Sequence, residues 1–312
     1  MKHKIIFSVL TGLCTVLLFA IPSYNRFNKE PIPSSPLSEH AYTQNSFLVG
    51  KKNIACKYYD EKDFLKSVST AQSIHTPAGE IKGGIVPHHL LASGLISSFF
   101  KTLSVEQPEI IVVIAPNHKG LGVNKVHTGN WDWQTPFGIL EADQETISVL
   151  ADSKTADMNF DLLESDHSIA GLVPYIKYYM PDSKIIPILL HGNYSLKEAQ
   201  QLGQNLQKKL ENKKTLILAS VDFSHYLPLE EADEMDKVSI QAIENRNLNL
   251  IQHLSNDYMD SPASIITLLS AMDIAGVDEM EVLGHSNSDR IADTKSGNTT
   301  SYFTIVFYKV TT

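Results

Sequence analysis

The sequence predicts an α/β layered domain with a mixed, largely parallel central sheet flanked by helices. Three observations carry that expectation. From about Lys52 onward, apolar runs of strand length alternate with longer segments of helical period. Such alternation favours a parallel or mixed sheet, because parallel neighbours need a crossover, usually helical, to join them. The chain has 312 residues of which 43% are hydrophobic, enough for a substantial core. No repeat period and no second domain boundary interrupts the pattern, so 51–312 reads as a single domain.

At the N-terminus, Lys2 and Lys4 precede a mostly apolar run from Ile5 to Ile21. This reads as a signal peptide or membrane anchor over residues 1–22. Cleavage stays open: Leu18-Phe19-Ala20 places small residues badly for it, and Thr11-Gly12-Leu13-Cys14 is a poor lipoprotein match. The Pro/Ser-rich stretch that follows makes 23–50 a linker. The expected location is therefore exported or membrane-anchored and extracytoplasmic, with membrane contact only through the N-terminal segment. The domain beyond it keeps one cysteine, Cys56, so no disulfide can form within it.

Within the domain the expected strands are Gly83–Val86, Ile110–Ala115, Lys184–Leu190, Thr215–Ser220, Met280–Leu283 and Tyr302–Tyr308. The expected helices are Leu90–Thr102, Ser168–Tyr179, Leu196–Leu210, Glu230–Glu244 and Pro262–Ala275. Trp131, Trp133 and Thr135-Pro136-Phe137-Gly138 read as a packing and turn element.

A formal net charge of −9 with no Lys/Arg-rich block lacks the electrostatic footprint of a nucleic-acid binder, so nucleic acid is not an expected partner. The chemistry lies in the histidines. Val86-Pro87-His88-His89, Ala115-Pro116-Asn117-His118 and Ser220-Val221-Asp222-Phe223-Ser224-His225 each follow an apolar run, and Asp166-His167 stands between the second and third. In open α/β sheets ligands bind beyond the carboxyl ends of the strands, so these segments can converge on one metal or catalytic centre. His88 and His118 are thirty residues apart, too far for a local chelate but as expected if successive strand-helix units each deliver one ligand. Of the adjacent pair, His88 is the preferred ligand and His89 is substrate-facing or solvated, because neighbours leaving a strand diverge.

Each residue also has a plainer reading. A single histidine is more often a hydrogen-bonded or surface residue, and Asp166 or Ser168 can serve as the N-cap of the helix that follows. Asp222 and His225, three apart, share a face if the chain turns helical after the strand. They can then form an acid/base pair, or with Ser220 or Ser224 a hydrolytic triad. No Gly-x-Ser-x-Gly elbow accompanies them, which argues against the hydrolase.

Taken in order, these segments resemble the Memo-like family, also called AmmeMemoRadiSam system protein B. The resemblance rests on Pro87-His88, Pro116-Asn117-His118, Thr135-Pro136-Phe137-Gly138, Asp166-His167-Ser168 with Leu172-Val173-Pro174, the string Ser220 to Tyr226, and Ser286-Asn287-Ser288-Asp289. It runs from about Gly83 to Tyr308. It implies a fold similar to class III extradiol dioxygenases, non-haem iron enzymes in which two histidines and a carboxylate hold the metal. Carried over, His88 and His118 are metal ligands, while Asp222, His225 and His167 line the same pocket and His225 is the acid/base. Some family members supply a third ligand from a cysteine before a late helix, where this chain has Tyr258-Met259-Asp260-Ser261-Pro262. Asp260 is either a harder oxygen ligand in its place or a turn or capping residue. The implied cofactor is one divalent metal among iron, copper and zinc, and the partner is a small-molecule substrate or a protein. Two functions follow: a metal-dependent oxidoreductase or dioxygenase-like enzyme, or a non-catalytic metal- or partner-binding protein on the same fold.

Overall fold

The structure, a computed structural model, describes residues 52–72 and 77–310. The expected signal or anchor (1–22) and linker (23–50) lie outside the described residues. The chain lays down strand β1 (Ile54–Ala55), helix α1 (Glu61–Thr70), strand β2 (Gly79–Val86), helix α2 (Ser93–Leu103) and strand β3 (Ile110–Pro116). Three short strands follow, β4 (Val126–Thr128), β5 (Trp133–Thr135) and β6 (Gly138–Leu140). Helix α3 (Gln144–Asp152), strand β7 (Asp157–Met158) and the short helices α4 (Phe160–Ser165), α5 (His167–Ala170) and α6 (Val173–Tyr179) come next. Then come β8 (Lys184–Leu190), α7 (Leu196–Leu210), β9 (Thr215–Ser220), α8 (Leu229–Glu244) and α9 (Leu248–Gln252). The described chain closes with α10 (Pro262–Ala275), β10 (Glu279–Asn287), α11 (Ser288–Ala292) and β11 (Ser301–Val310).

Eight strands form one sheet in the order β10-β11-β2-β9-β3-β8-β4-β7. The junctions β2-β9, β9-β3, β3-β8 and β4-β7 are parallel, and β10-β11, β11-β2 and β4-β8 are antiparallel. The sheet is therefore mixed with a parallel centre, as the alternation of runs predicts. Strand β3 is buried at every position, the mark of a central parallel strand covered on both faces. Its side chains alternate between two cores. Ile110, Val112 and Ile114 join Leu206 of α7, Ile243 of α8 and Leu268 of α10, while Ile111, Val113 and Ala115 join Phe99 of α2 and Ile176 of α6. Burying each such side chain contributes about 1.5–3 kcal/mol, so this alternation fixes which helices lie on which face. Among the described residues no helix is long and apolar enough to cross a membrane.

Helices α7 and α10 pack closely enough that a Cβ on Gly203 would collide with the Thr267 carbonyl oxygen. Replacing Gly203 with alanine has two opposed effects. Helix propensity favours alanine by about 1 kcal/mol, whereas overpacking against a backbone atom costs about 1–3 kcal/mol. Overpacking should win, because a carbonyl in mid-helix cannot swing aside as a side chain can. Gly203→Ala is expected to lower the denaturant midpoint, and an unchanged or raised midpoint would show that the helices can separate without loss.

Two expected helices differ in detail. The segment Ser168–Tyr179 is split into α5 and α6, because Pro174 has no N–H to donate and its ring crowds the carbonyl of Ala170, ending the first helix there. The segment from Leu90 opens with a 3₁₀ turn, Leu90–Ala92, before α2 begins at Ser93. Strands β1 and β4 to β7 have only two or three residues each, too few for a period to show. The tryptophan segment is a packing element: Trp133 is buried in β5, and Thr135 Oγ donates 2.7 Å to the Gly138 carbonyl to close the β5-β6 turn.

Candidate metal centre

Strands β2, β9 and β3 are parallel neighbours whose carboxyl ends lie level, with Val86 opposite Ser220 and Ala219 opposite Ile114. The segments leaving them therefore start side by side. They carry His88, Asp222 and His118. Asp260 arrives from the loop before α10, tied down by Asp260 N–H donating 3.1 Å to the Asp222 carbonyl and by bridge pairing of Phe223 with Met259. His167, the first residue of α5, stacks on His118 with ring centroids 4.4 Å apart and lies 5.2 Å from the His88 ring.

Asp260 Oδ2 stands 3.1 Å from Nε2 of His88 and 3.6 Å from Nε2 of His118. Neither carboxylate oxygen makes a hydrogen bond, although the side chain is 6% exposed. The helix cap that might have explained this residue belongs to Ser261, whose side chain accepts from Ser264 N–H. Two overlapping sets of ligating atoms lie within 4.8 Å of one another: His88, His118 and His167, and His88, Asp222 and Asp260.

Donor counting places a hydrogen on Nδ1 of both ligand-candidate histidines. The hydroxyl of Ser220 donates 2.6 Å to the Ser168 carbonyl, so its oxygen, 3.1 Å from His88 Nδ1, must accept from that ring nitrogen. Nδ1 of His118 lies 3.1 Å from Asp166 Oδ1, which as a carboxylate can only accept. Both rings therefore carry hydrogen on Nδ1 and turn Nε2 toward Asp260. An outer carboxylate or hydroxyl fixing a ligand histidine in this way is the usual support of a metal site.

Charge in the cluster is shared. Burial alone would push His88 down, but Asp222 and Asp260 more than reverse it and hold the imidazole above its ordinary value. His118 is partly buried too, yet its contacts with Asp166 and Asp260 raise it to about 10. Burial would lift the Asp260 carboxyl, but His88, His118 and His225 outweigh that and hold it well below the usual carboxylate range. His167 is pushed down to about 4 by burial and by the charges of His88 and His118, so it is neutral at pH 7.

The remaining predicted residues gather here by other means than expected. The chain after β9 is not helical, since α8 begins only at Leu229, so Asp222 and His225 do not share a helix face. Asp222 instead clamps the neighbouring turn: Oδ1 accepts from His88 N–H at 3.0 Å and Oδ2 stands 3.6 Å from His88 Nε2. His225 has a buried Nδ1 without a partner and lies close enough for its charge to act on Asp260. His89 diverges from His88, its Nδ1 2.5 Å from the hydroxyl of buried Tyr302. Ser220 and Ser224 are buried with their hydroxyls turned to the Ser168 carbonyl and the Asp236 carboxylate, so neither is placed as a nucleophile for His225.

Asp166 does more than its sequence position suggests. It caps α5 through Ser168 N–H, and it also accepts from both the backbone N–H and Nδ1 of His118. Forty-eight residues separate Asp166 from His118, and no local pattern announces that pair. A second cluster, Asp233, Asp236 and His285, lies apart and satisfies itself: Arg290 binds Asp233, while Ser224 and His285 occupy Asp236. Cys56 is half-buried and its thiol is pushed up to about 11 by burial.

The sequence model of a family described as Memo-like protein matches residues 53–306. A MEMO1 family protein of Pyrobaculum aerophilum is 28% identical over 240 residues, covering 74% of this chain and 85% of its own. A MEMO1 family protein of Aquifex aeolicus is likewise 28% identical, with 73% and 84% covered. The crystal structure of an uncharacterized Escherichia coli K12 protein superposes with a TM-score of 0.50 over 72% of this chain and 99% of that one, at 11% identity, a likeness of fold.

Proposed function

The chain belongs to the Memo-like protein family, and from that premise we propose that it holds one divalent metal ion at His88, His118 and Asp260, in a histidine-lined cleft that acts on a small substrate. The observation that carries this reading is Asp260, a carboxylate with no backbone or hydroxyl donor, set 3.1 and 3.6 Å from Nε2 of two imidazoles whose Nδ1–H groups are committed elsewhere. Without an ion the carboxylate is balanced by protons on the two imidazoles, and a cation between these atoms would take the place of those protons. The donor set of two imidazoles and one carboxylate suits iron, copper or zinc alike, and when bound such an ion supplies Lewis-acid or redox chemistry.

The chain's own residues supply the rest. Asp166 and Ser220 orient the ligand rings, and Asp222 holds the His88-His89 turn. His167, neutral at pH 7, can accept a proton, and His225 is the proposed proton-transfer group beside Asp260. An oxidoreductase or dioxygenase-like activity is the finer reading. The N-terminal basic and apolar residues support an extracytoplasmic setting, in which zinc or copper is easier to keep than iron(II).

Elemental analysis of the full-length chain, purified without oxygen and compared with a His88→Ala/His118→Ala variant, tests the centre. Near-stoichiometric metal lost in the double variant is expected, and its identity separates redox from Lewis-acid roles. No metal in either form after reconstitution would sink the reading. Turnover lost in His225→Ala with metal retained would support catalysis.

A further inference from the structure

Asp289, in the first turn of α11, is 4% exposed and folds the turn leading into β11 around itself. Its carboxylate accepts from Thr294 Oγ1 at 2.8 Å and from Ser296 N–H at 3.1 Å, and its carbonyl accepts from Thr294 N–H at 2.9 Å. Asp289 N–H donates 3.2 Å to Thr299 Oγ1, which also lies 2.9 Å from Ser288 Oγ. Residues 293–300 are thereby drawn into a clasped arm, and its end is fixed by Ser288 N–H, which donates 2.8 Å to the Thr300 carbonyl.

The arm runs along the segment that carries His225. Thr299 N–H donates 2.8 Å to the Leu227 carbonyl, Ser301 N–H 2.9 Å to the Ser224 carbonyl, and Phe223 N–H 2.9 Å to the Ser301 carbonyl. On its other edge the segment is tied to the loop before α10, where His225 N–H donates 3.2 Å to the Asn256 carbonyl. Between these anchors stands Tyr226 with φ +59°, a left-handed backbone that is strained for a bulky residue. Burial of its ring does not offset that strain, because Tyr226 is 71% exposed, and the ring lies instead beside His225 with centroids 5.6 Å apart. Strain of this kind persists only where the surroundings over-determine it, and it gathers at functional sites. Here the flanking residues Ser224 and Leu227 are both held by the arm.

We infer that the arm clasped by Asp289 and Thr299 is the positioning element of His225: it holds Tyr226 in its left-handed turn, and that turn sets where the His225 imidazole stands relative to Asp260. Asp289 and Thr299 are positioning residues, acting through the backbone of 224–227 and not by contact with the centre. The proton-transfer role of His225 rests on the reading above, whereas its placement by the arm does not. The segment Ser286–Asp289 thus gains a task that its distance from His225 along the chain conceals.

The test reads His225 in the full-length chain after treatment with a chelator. Two rates are followed by mass spectrometry: modification of His225 by diethyl pyrocarbonate, with exposed His253 as control, and amide hydrogen exchange of 222–227, with β3 as control. Asp289→Ala/Thr299→Val removes the side-chain clasp and leaves the β10-β11 pairing in place. It should speed both rates about tenfold, with His253 and β3 unchanged. Tyr226→Asn is the decisive addition, since asparagine tolerates left-handed backbone better than tyrosine. Measured in a Tyr226→Asn background, the clasp effect should shrink by about fivefold, which an arm with a merely structural role would not show. Thr299→Val alone should give the same pattern at smaller size, and it carries the test if the double variant does not fold. Wild-type rates at His225 while 294–298 exchanges faster, equal acceleration of β3, or an undiminished clasp effect with Tyr226→Asn would overturn the inference. Metal content, measured on untreated samples, decides the metal-centre reading separately, so the failure of either is told apart from the failure of the other.

Discussion

Replacing Asp166 with alanine is expected to lower stability by about 2–4 kcal/mol and to weaken metal binding by about 10- to 100-fold. Both effects come from one carboxylate. Asp166 is buried and accepts from His118 N–H at 2.9 Å, His118 Nδ1 at 3.1 Å, Ser168 N–H at 3.0 Å and Ser168 Oγ at 2.7 Å. Alanine removes the cap of α5 and leaves these donors facing a void. The His118 side chain is 31% exposed, so water can satisfy part of the loss, which keeps the figure below that for a sealed charge pair. A chemical denaturation curve and a competitive metal titration read the two effects separately. A variant that binds metal normally but is destabilised would leave Asp166 as a cap alone.

The same residue gives a pH expectation with a definite sign. Burial would raise the Asp166 carboxyl, but His118 and Ser168 lower it to about 2 in the folded state, against an ordinary aspartate value of about 3.9. A depressed carboxyl contributes stability that is fully present above the unfolded value and is lost as pH falls through the folded one. Metal-free protein should therefore lose this contribution between about pH 4 and pH 2. Asp166→Asn should flatten that limb of the stability curve, and identical acid limbs in the two proteins would count against the pairing.

Substitution of Asp260 should have the largest effect on the centre itself. Asp260→Ala removes the one proposed anionic ligand, and affinity is expected to fall by more than the roughly 100-fold limit typical of residues that only support a ligand. Asp260→Cys is more informative. A thiolate in the same place offers a soft donor, so binding should persist while preference moves toward zinc or copper(I) and away from harder ions. Competition titrations with zinc, copper and iron read both variants. Wild-type affinity in Asp260→Ala would mean that His88, His118 and His167, whose ligating atoms also lie within 4.8 Å, hold the ion by themselves.

Much of this protein was legible before folding. Runs such as Ile110 to Ala115 announce a strand buried on both faces, because only a central parallel strand tolerates apolar residues at every position. The helices Leu196–Leu210 and Pro262–Ala275 stand at the bounds read from the sequence. His88 and His118 were identifiable as well, since a histidine just beyond each of two such strands has few places to go but the carboxyl edge of the sheet.

What lay beyond the sequence was the particular contacts that hold those distant residues together. Asp260 reads equally well as a turn residue until the Asp222 carbonyl is seen holding its backbone and Ser261 is seen taking the cap. The clamp of Asp166 on His118 and the Ser220 hydroxyl that accepts from His88 Nδ1 were equally hidden. The physical reason is the range of the forces. Periodicity and capping act within a few residues, so composition and order suffice to reveal them. Hydrogen bonds and charge pairs act over a few ångströms between segments that only the packed sheet brings together, so they exist only once the fold has placed them.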